Sequence, residues 1–266
     1  MDLTEYQSGA ARHILIYGPP KVGKTAKLAP LATEFTLHVF DGDDGIKTLL
    51  NPAILDPQYR KNVKVYRMPD TQHFPVMADT MLKVLRGGEQ RICEAHGVVG
   101  RCPACDKDPA AKWATINVDA FTNKDVLVVD SGSQLATSML NRVCSKQLMG
   151  SSADTFKPEW EHYRQQGFLL DRIFSIVQAA PYNVVVITHE TKAKREDGKE
   201  VIVPIGGTTN FSSTFAKYFD DVVYCDKVNG KYKAFSDGSY SNSIITGSRT
   251  GKDIDKEPRG ILALFD

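Results

Sequence analysis

The stretch Gly18-Pro19-Pro20-Lys21-Val22-Gly23-Lys24-Thr25 satisfies G-x-x-x-x-G-K-[ST] at every fixed position. It follows the apolar run His13–Tyr17 and opens a helix-compatible stretch, Lys24–Thr33. That context is what phosphate binding requires. The glycines let backbone N–H groups turn toward phosphate oxygens, and a helix N-terminus adds a positive dipole end. All eight residues are candidates for holding a nucleotide. Lys24 suits the β- and γ-phosphate oxygens, and the Thr25 hydroxyl suits Mg²⁺. ATP with Mg²⁺ is the expected cofactor pair. The competing reading is a chance glycine turn, but the complete pattern is rare by chance. Pro30 is expected to kink or shorten the helix.

Working outward, short apolar runs alternate with helix-compatible stretches. The runs are His13–Tyr17, Phe35–Phe40, Val63–Tyr66, Val126–Val129 and Val184–Ile187. Most are apolar at consecutive positions, which suits strands of a parallel sheet buried on both faces. Helices are expected at Lys24–Thr33, Phe74–Leu85, Gln134–Leu148 and Glu159–Ala179. The fold class is α/β, a mostly parallel central sheet flanked by helices. Farther on, Asp221–Cys225, Tyr232–Phe235, Ser243–Thr246 and Gly260–Phe265 read as strands. Asn229-Gly230 is a hairpin signal between the first two, so an antiparallel edge is expected. Two stretches look inserted, Gly87–Lys112 and His189–Asn210. Neither reads as a separate domain, so 1–266 is expected to be one domain.

The 266 residues carry 33 Lys+Arg against 32 Asp+Glu, for a net charge of +1. A uniformly basic histone-like protein is excluded, whereas a local nucleic-acid patch is not. With 42% apolar and 24% charged residues, the chain can bury a core. No run approaches a bilayer span, and Met1–Gln7 has no signal-peptide character. The expectation is a cytoplasmic protein, without membrane partners, whose five cysteines are reduced.

Asp125-Val126-Leu127-Val128-Val129-Asp130 is an apolar strand ending in an acid. Asp130 suits a Mg²⁺ role opposite Thr25; the plainer alternative is a helix cap. Hydrolysis also needs a group that positions water. Ser131 and Gly132 follow Asp130, so no second acid stands there. The other place is Asp41-Gly42-Asp43-Asp44-Gly45, at the end of the second strand. A calcium loop is discounted there, because its later ligands are missing.

These motifs together resemble the RecA-type ATPases, and among them the short, core-only relatives carried by bacteriophages, associated with single-strand annealing and recombination. The resemblance runs from about His13 to Phe265 and includes Pro204-Ile205-Gly206-Gly207 and Phe219-Asp220-Asp221-Val222-Val223. It implies a RecA-like core and ATP hydrolysis. It makes Asp43 the catalytic acid, in place of the usual Glu, with Asp44 as the alternative. Thr188 and His189 fall where that group senses the γ-phosphate. Arg249, in Gly247-Ser248-Arg249-Thr250-Gly251-Lys252, matches a cation that reaches a neighbouring subunit's nucleotide; a solvated turn is the alternative. The resemblance thus implies a homo-oligomer, ring or filament. Its DNA-facing loops correspond to Gly150–Pro158 and His189–Asn210. Lys192, Lys194 and Arg195 are the candidate contacts to single-stranded DNA, although the acids of the same loop bring its net charge to zero. Single-strand-binding and other replication proteins are further candidate partners.

Cys93-x2-His96-x5-Cys102-x2-Cys105 offers four ligands in two close pairs. Such spacing lets ligands from one turn reach the same tetrahedral ion. A zinc-knuckle-like insertion at about residues 87–112 with structural Zn²⁺ is expected; a loop of reduced cysteines is the alternative. Charge is uneven nearby. Arg60–Arg91 holds seven bases against three acids, and Asp41–Asp56 four acids against one base. An acidic catalytic edge beside a basic surface follows. Three functions compete: an ATP-hydrolysing recombination or annealing protein on single-stranded DNA, a replication motor or helicase loader, and a nucleotide-gated binding module with little turnover.

Overall fold

In a computed structural model, the structure describes residues 11–148, 155–195, 197–238 and 240–266. The consecutive apolar runs become the strands β1 (His13–Gly18), β2 (Thr36–Asp41), β3 (Val63–Arg67), β6 (Asp125–Asp130) and β7 (Asn183–Lys194). With β9 (Asp221–Val228) and β10 (Lys231–Phe235) they form a sheet in the order β10-β9-β1-β7-β6-β2-β3. All neighbours from β9 to β3 run parallel, and β10 pairs antiparallel with β9 at the edge.

Each central strand feeds two cores. Leu15, Tyr17, Leu127, Val129, Val184 and Val186 point to one face. Ile14, Ile16, Val126, Val128, Val185 and Ile187 point to the other. This period of two, apolar on both faces, is why the runs showed no alternation. The first face is covered by α1 (Val76–Val84), α2 (Gly132–Val143) and α4 (Trp160–Gln178). A short α3 (Ser145–Leu148) follows α2, and α5 (Thr209–Thr214) precedes a turn that brings Phe215 against Phe174.

Several expected elements differ. Lys24–Thr33 is not one helix but two 3₁₀ turns, Thr25–Leu28 and Leu31–Thr33. Pro30 has no N–H for an i→i−4 bond, and the chain closes i→i−3 bonds instead, such as Lys27 N–H to Lys24 O at 3.0 Å. Gly260–Phe265 is a 3₁₀ helix, not a strand; its apolar residues cap the second core. Of Ser243–Thr246, only an isolated bridge from Ile244 to Ile202 forms, and the short strand β11 (Gly247–Ser248) pairs with β9 just after it.

The two inserted stretches fold back on themselves. β4 (Gln90–Cys93) pairs antiparallel with β5 (Trp113–Ile116), and the four Cys/His residues lie at the end of that ribbon where residues 94–112 connect its two strands. β7 runs on past the sheet and pairs antiparallel with β8 (Glu200–Pro204), so His189–Asn210 is largely a hairpin. Of the expected DNA-facing stretch Gly150–Pro158, residues 150–154 lie outside the described residues. Among the described residues, no helix is long and apolar enough to cross a membrane.

Candidate active site

The parallel register sets the site. Gly18 lies level with His189, and Asp41 level with Asp130. Four segments far apart in sequence therefore end on one edge, the carboxyl ends of the strands, where open α/β sheets bind ligands. The phosphate loop leaves β1 with Gly18 hard against the β9 backbone: a Cβ there would stand 2.1 Å from Cys225 O. Lys21 and Gly23 adopt positive φ (63° and 83°), which turns the loop around its own interior.

Lys24 is buried (7% exposed). Its Nζ donates to Gly18 O at 3.0 Å and Pro19 O at 2.6 Å, and lies 3.3 Å from His189 Nδ1. Burial lowers its pKa, an effect that neighbouring acids oppose. Thr25 Oγ1 donates to Asp130 Oδ2 at 2.9 Å. The two expected Mg²⁺ ligands are thus in contact. Burial, with Asp41 and Asp43 adding repulsion, pushes Asp130 up to about 7 against the opposing Thr25 hydrogen bond. Asp41 is also raised by burial, and its Oδ2 is buried without a hydrogen-bond partner among the described residues. This oxygen-only, charge-crowded donor set fits a hard dication. Gly45 closes the spot, since a Cβ there would lie 3.1 Å from Asp130 Oδ2 and 3.3 Å from Thr25 Oγ1.

The two adjacent acids part company. Asp43 turns inward: its Oδ2 accepts from Ser131 Oγ at 2.5 Å and lies 4.0 Å from His189 Nε2. Asp44 sits at φ 59° and turns outward, paired with Lys47 at 2.5 Å and Arg67 at 3.7 Å. His189 bridges Lys24 and Asp43, its pKa lowered by burial and then by the Lys24 charge. Thr188 is not with it: its hydroxyl donates to Ile205 O at 2.6 Å.

Arg249 lies elsewhere. Its guanidinium pairs with Asp220 at 2.7 Å, beside the start of β1, at the opposite edge of the sheet. Within one chain it does not meet the phosphate loop. Lys192 pairs with Glu200 at 3.1 Å, Arg195 donates to Asn242 O at 2.9 Å, and Lys194 is exposed at the end of β7.

Cys93, His96, Cys102 and Cys105 converge, their ligand atoms all within 4.8 Å of one another. His96 Nδ1 lies 3.2 Å from Cys105 Sγ, 3.5 Å from Cys102 Sγ and 4.0 Å from Cys93 Sγ. These are edge lengths of a tetrahedron with Zn–S of about 2.3 Å and Zn–N of about 2.0 Å. The three cysteines are buried and His96 is exposed. Three sulfurs and one imidazole nitrogen fit zinc.

Sequence reasoning quoted Asp41 and Gly45 only as neighbours of Asp43, and noted Ser131 only as standing where a second acid is absent. The available signal was the acidic end of β2, one strand from the acidic end of β6.

A family model described as an AAA domain matches residues 10–250. No curated protein matches the sequence. Among solved structures, the chain is similar to a KaiC-like protein of the hyperthermophilic archaeon Pyrococcus horikoshii OT3, with 14% identity over 85% of this chain and 77% of that one and a TM-score of 0.41. A complete phosphate loop on a mostly parallel sheet, with a family match spanning most of the chain, makes this protein a P-loop NTPase that belongs to the AAA domain family.

Proposed function

We propose that the protein is a Mg²⁺-dependent ATPase in which Asp43 activates the attacking water. The observation that supports this most is the meeting of Lys24, Thr25, Asp43, Asp130 and His189 on one strand-end edge. Thr25 and Asp130 would hold Mg²⁺, which would supply neutralisation of the phosphate charge. Lys24 exchanges the Gly18 and Pro19 carbonyls for phosphate oxygens. Asp43, oriented by the Ser131 hydroxyl, accepts the water proton. His189, between Lys24 and Asp43, reports the γ-phosphate to the β7–β8 hairpin that it begins. Arg249 acts, on this reading, on the nucleotide of a neighbouring copy in a ring or filament.

The finer proposal is that turnover serves single-stranded DNA, in recombination or annealing, in a phage-type RecA relative. Supporting it are the exposed Lys61 in the 3₁₀ turn before β3, Lys64 and Arg67 on β3, and Arg91 on the adjoining Cys/His ribbon. A cleft of about 200 Å³ lies between those two elements. Lys192, Lys194 and Arg195 are further candidate phosphate contacts, of the salt-sensitive kind. The Cys₃His group holds structural Zn²⁺ that stiffens this surface.

The test is ATP turnover and particle size, measured together with Mg²⁺ or EDTA and with or without single-stranded DNA. Turnover that needs Mg²⁺ and disappears in Lys24→Ala is expected. Nucleotide binding without turnover rejects the ATPase in favour of a gated module. Absence of DNA binding at low salt, with and without a non-hydrolysable ATP analogue, rejects the DNA reading alone.

A further inference from the structure

Tyr232 is a large aromatic on the edge strand β10 and is 57% exposed. Its hydroxyl makes no hydrogen bond among the described residues. The ring nonetheless has a defined place. A Cβ built on Gly23, the glycine just before Lys24, would stand 3.8 Å from Tyr232 Cγ and Cδ1. Across the hairpin, Tyr232 is level with Lys227, whose Nζ lies 5.5 Å from the ring centroid. The ring is thus held along one side by the phosphate loop while most of its surface faces solvent.

Sheet order says which part of a nucleotide comes this way. Asp43, Asp130 and His189 all lie on the β7-β6-β2 side of β1. They surround the place for Mg²⁺ and the γ-phosphate. β9 and β10 lie on the other side of β1. A nucleotide laid along the loop with its triphosphate end at Asp130 and Asp43 points its base toward the β9–β10 hairpin. There Tyr232 offers an exposed ring beside the glycine that wraps the phosphates. Flat base-on-ring stacking favours large π-faces and is tolerant of base identity.

We infer that Tyr232 is the stacking platform for the nucleotide's base. This rests on the phosphate-loop reading given above. Stacking gives the site a preference for purine over pyrimidine nucleotides, with little discrimination between ATP and GTP.

The test compares ATP with inorganic tripolyphosphate, which carries the phosphates and no base, on wild type, Tyr232→Ala and Tyr232→Phe. Tyr232→Ala is expected to weaken ATP binding about tenfold. It leaves tripolyphosphate affinity unchanged and narrows the gap between ATP and CTP, and Tyr232→Phe restores wild-type behaviour. The side chain is exposed, so the variants keep the fold, which circular dichroism checks. Equal ATP affinity in wild type and Tyr232→Ala overturns the platform and leaves the phosphate site standing. Equal weakening of ATP and tripolyphosphate also overturns it, because the loop and not the base is then affected. A wild type that binds neither ligand overturns the phosphate-loop reading, and the platform with it.

Discussion

The strand-end site and the Cys/His cluster are assembled in opposite ways. The first gathers residues 18–25, 41–45, 130–131 and 189 from four strand ends, and only the parallel register brings them together. Its side chains hold one another: Thr25 with Asp130, Ser131 with Asp43, Lys24 with loop carbonyls. The second draws all four groups from thirteen residues and has a small core of its own, Cys93, Cys102 and Cys105 against Val98, Ala111 and Trp113. Preorganisation by the whole fold is expected in the first, and dependence on a bound ion in the second. Changes at the strand-end site should therefore alter chemistry with the fold intact. Changes at the cluster should alter local order with chemistry nearly intact.

The largest expected effect breaks the symmetry within the strand-end site itself. Asp43→Asn should lower kcat by roughly 10²–10⁴-fold, the usual contribution of a positioned base, with ATP affinity and melting temperature little changed. Asp44→Asn, on the outward side with Lys47 and Arg67, should keep kcat within about twofold, since exposed ion pairs contribute little. Single-turnover kinetics on the two variants decides. If Asp44→Asn is the inactive one, the inward placement of Asp43 has been misassigned a function.

Next in size is metal removal. Elemental analysis should find one zinc per chain, lost in Cys102→Ser. Chelation should then speed amide exchange across residues 90–116, while β1, β6 and β7 stay protected. Three buried thiols and one imidazole this close together fit a bound ion, whose removal should loosen the turn that they share. Fast exchange throughout the sheet after chelation would mean that the two regions are not independent.

A smaller effect sharpens the contrast at the Mg²⁺ position. Gly45→Ala puts a methyl 3.1 Å from Asp130 Oδ2 and 3.3 Å from Thr25 Oγ1, closer than most such contacts. The Mg²⁺ concentration for half-maximal turnover should rise several-fold, with zinc content unchanged. A titration of turnover against Mg²⁺ reads this directly.

How much of this was legible depends on the range of the signal. Gly18–Thr25 and Cys93–Cys105 are local patterns, readable without the fold. Asp130 was readable because a strand ending in an acid is itself a local pattern. The opposite directions of Asp43 and Asp44 follow from one left-handed residue, Asp44 at φ 59°, which no composition rule places. Lys24–Thr33 and Gly260–Phe265 went astray for different reasons: Pro30 removes a helical donor, and a six-residue apolar run has no period that separates strand from helix. The approach of Tyr232 to Gly23 joins positions two hundred residues apart through β9, so only the sheet order reveals it.

The smallest effect tests whether the sheet that carries the strand-end site is itself pH-sensitive. His38 on β2 is 5% exposed, with Nε2 3.0 Å from Asp125 Oδ1 at the start of β6. Burial lowers its pKa from 6.5, and the hydrogen bond to Asp125 opposes that only in part. The folded state therefore resists a proton that the unfolded chain accepts. The stabilisation from a neutral His38 is fully present above pH 6.5. It is lost as pH falls from there through the folded-state value, at up to about 1.4 kcal/mol per pH unit. His38→Gln removes this contribution. Urea unfolding midpoints between pH 7.5 and 5.0 should fall less steeply in the variant than in wild type, while zinc binding at pH 7.5 is the same in both. Parallel slopes in the two proteins would show that the buried imidazole takes up its proton in place, through the Asp125 contact, without loosening the β2–β6 pairing that aligns Asp41 with Asp130.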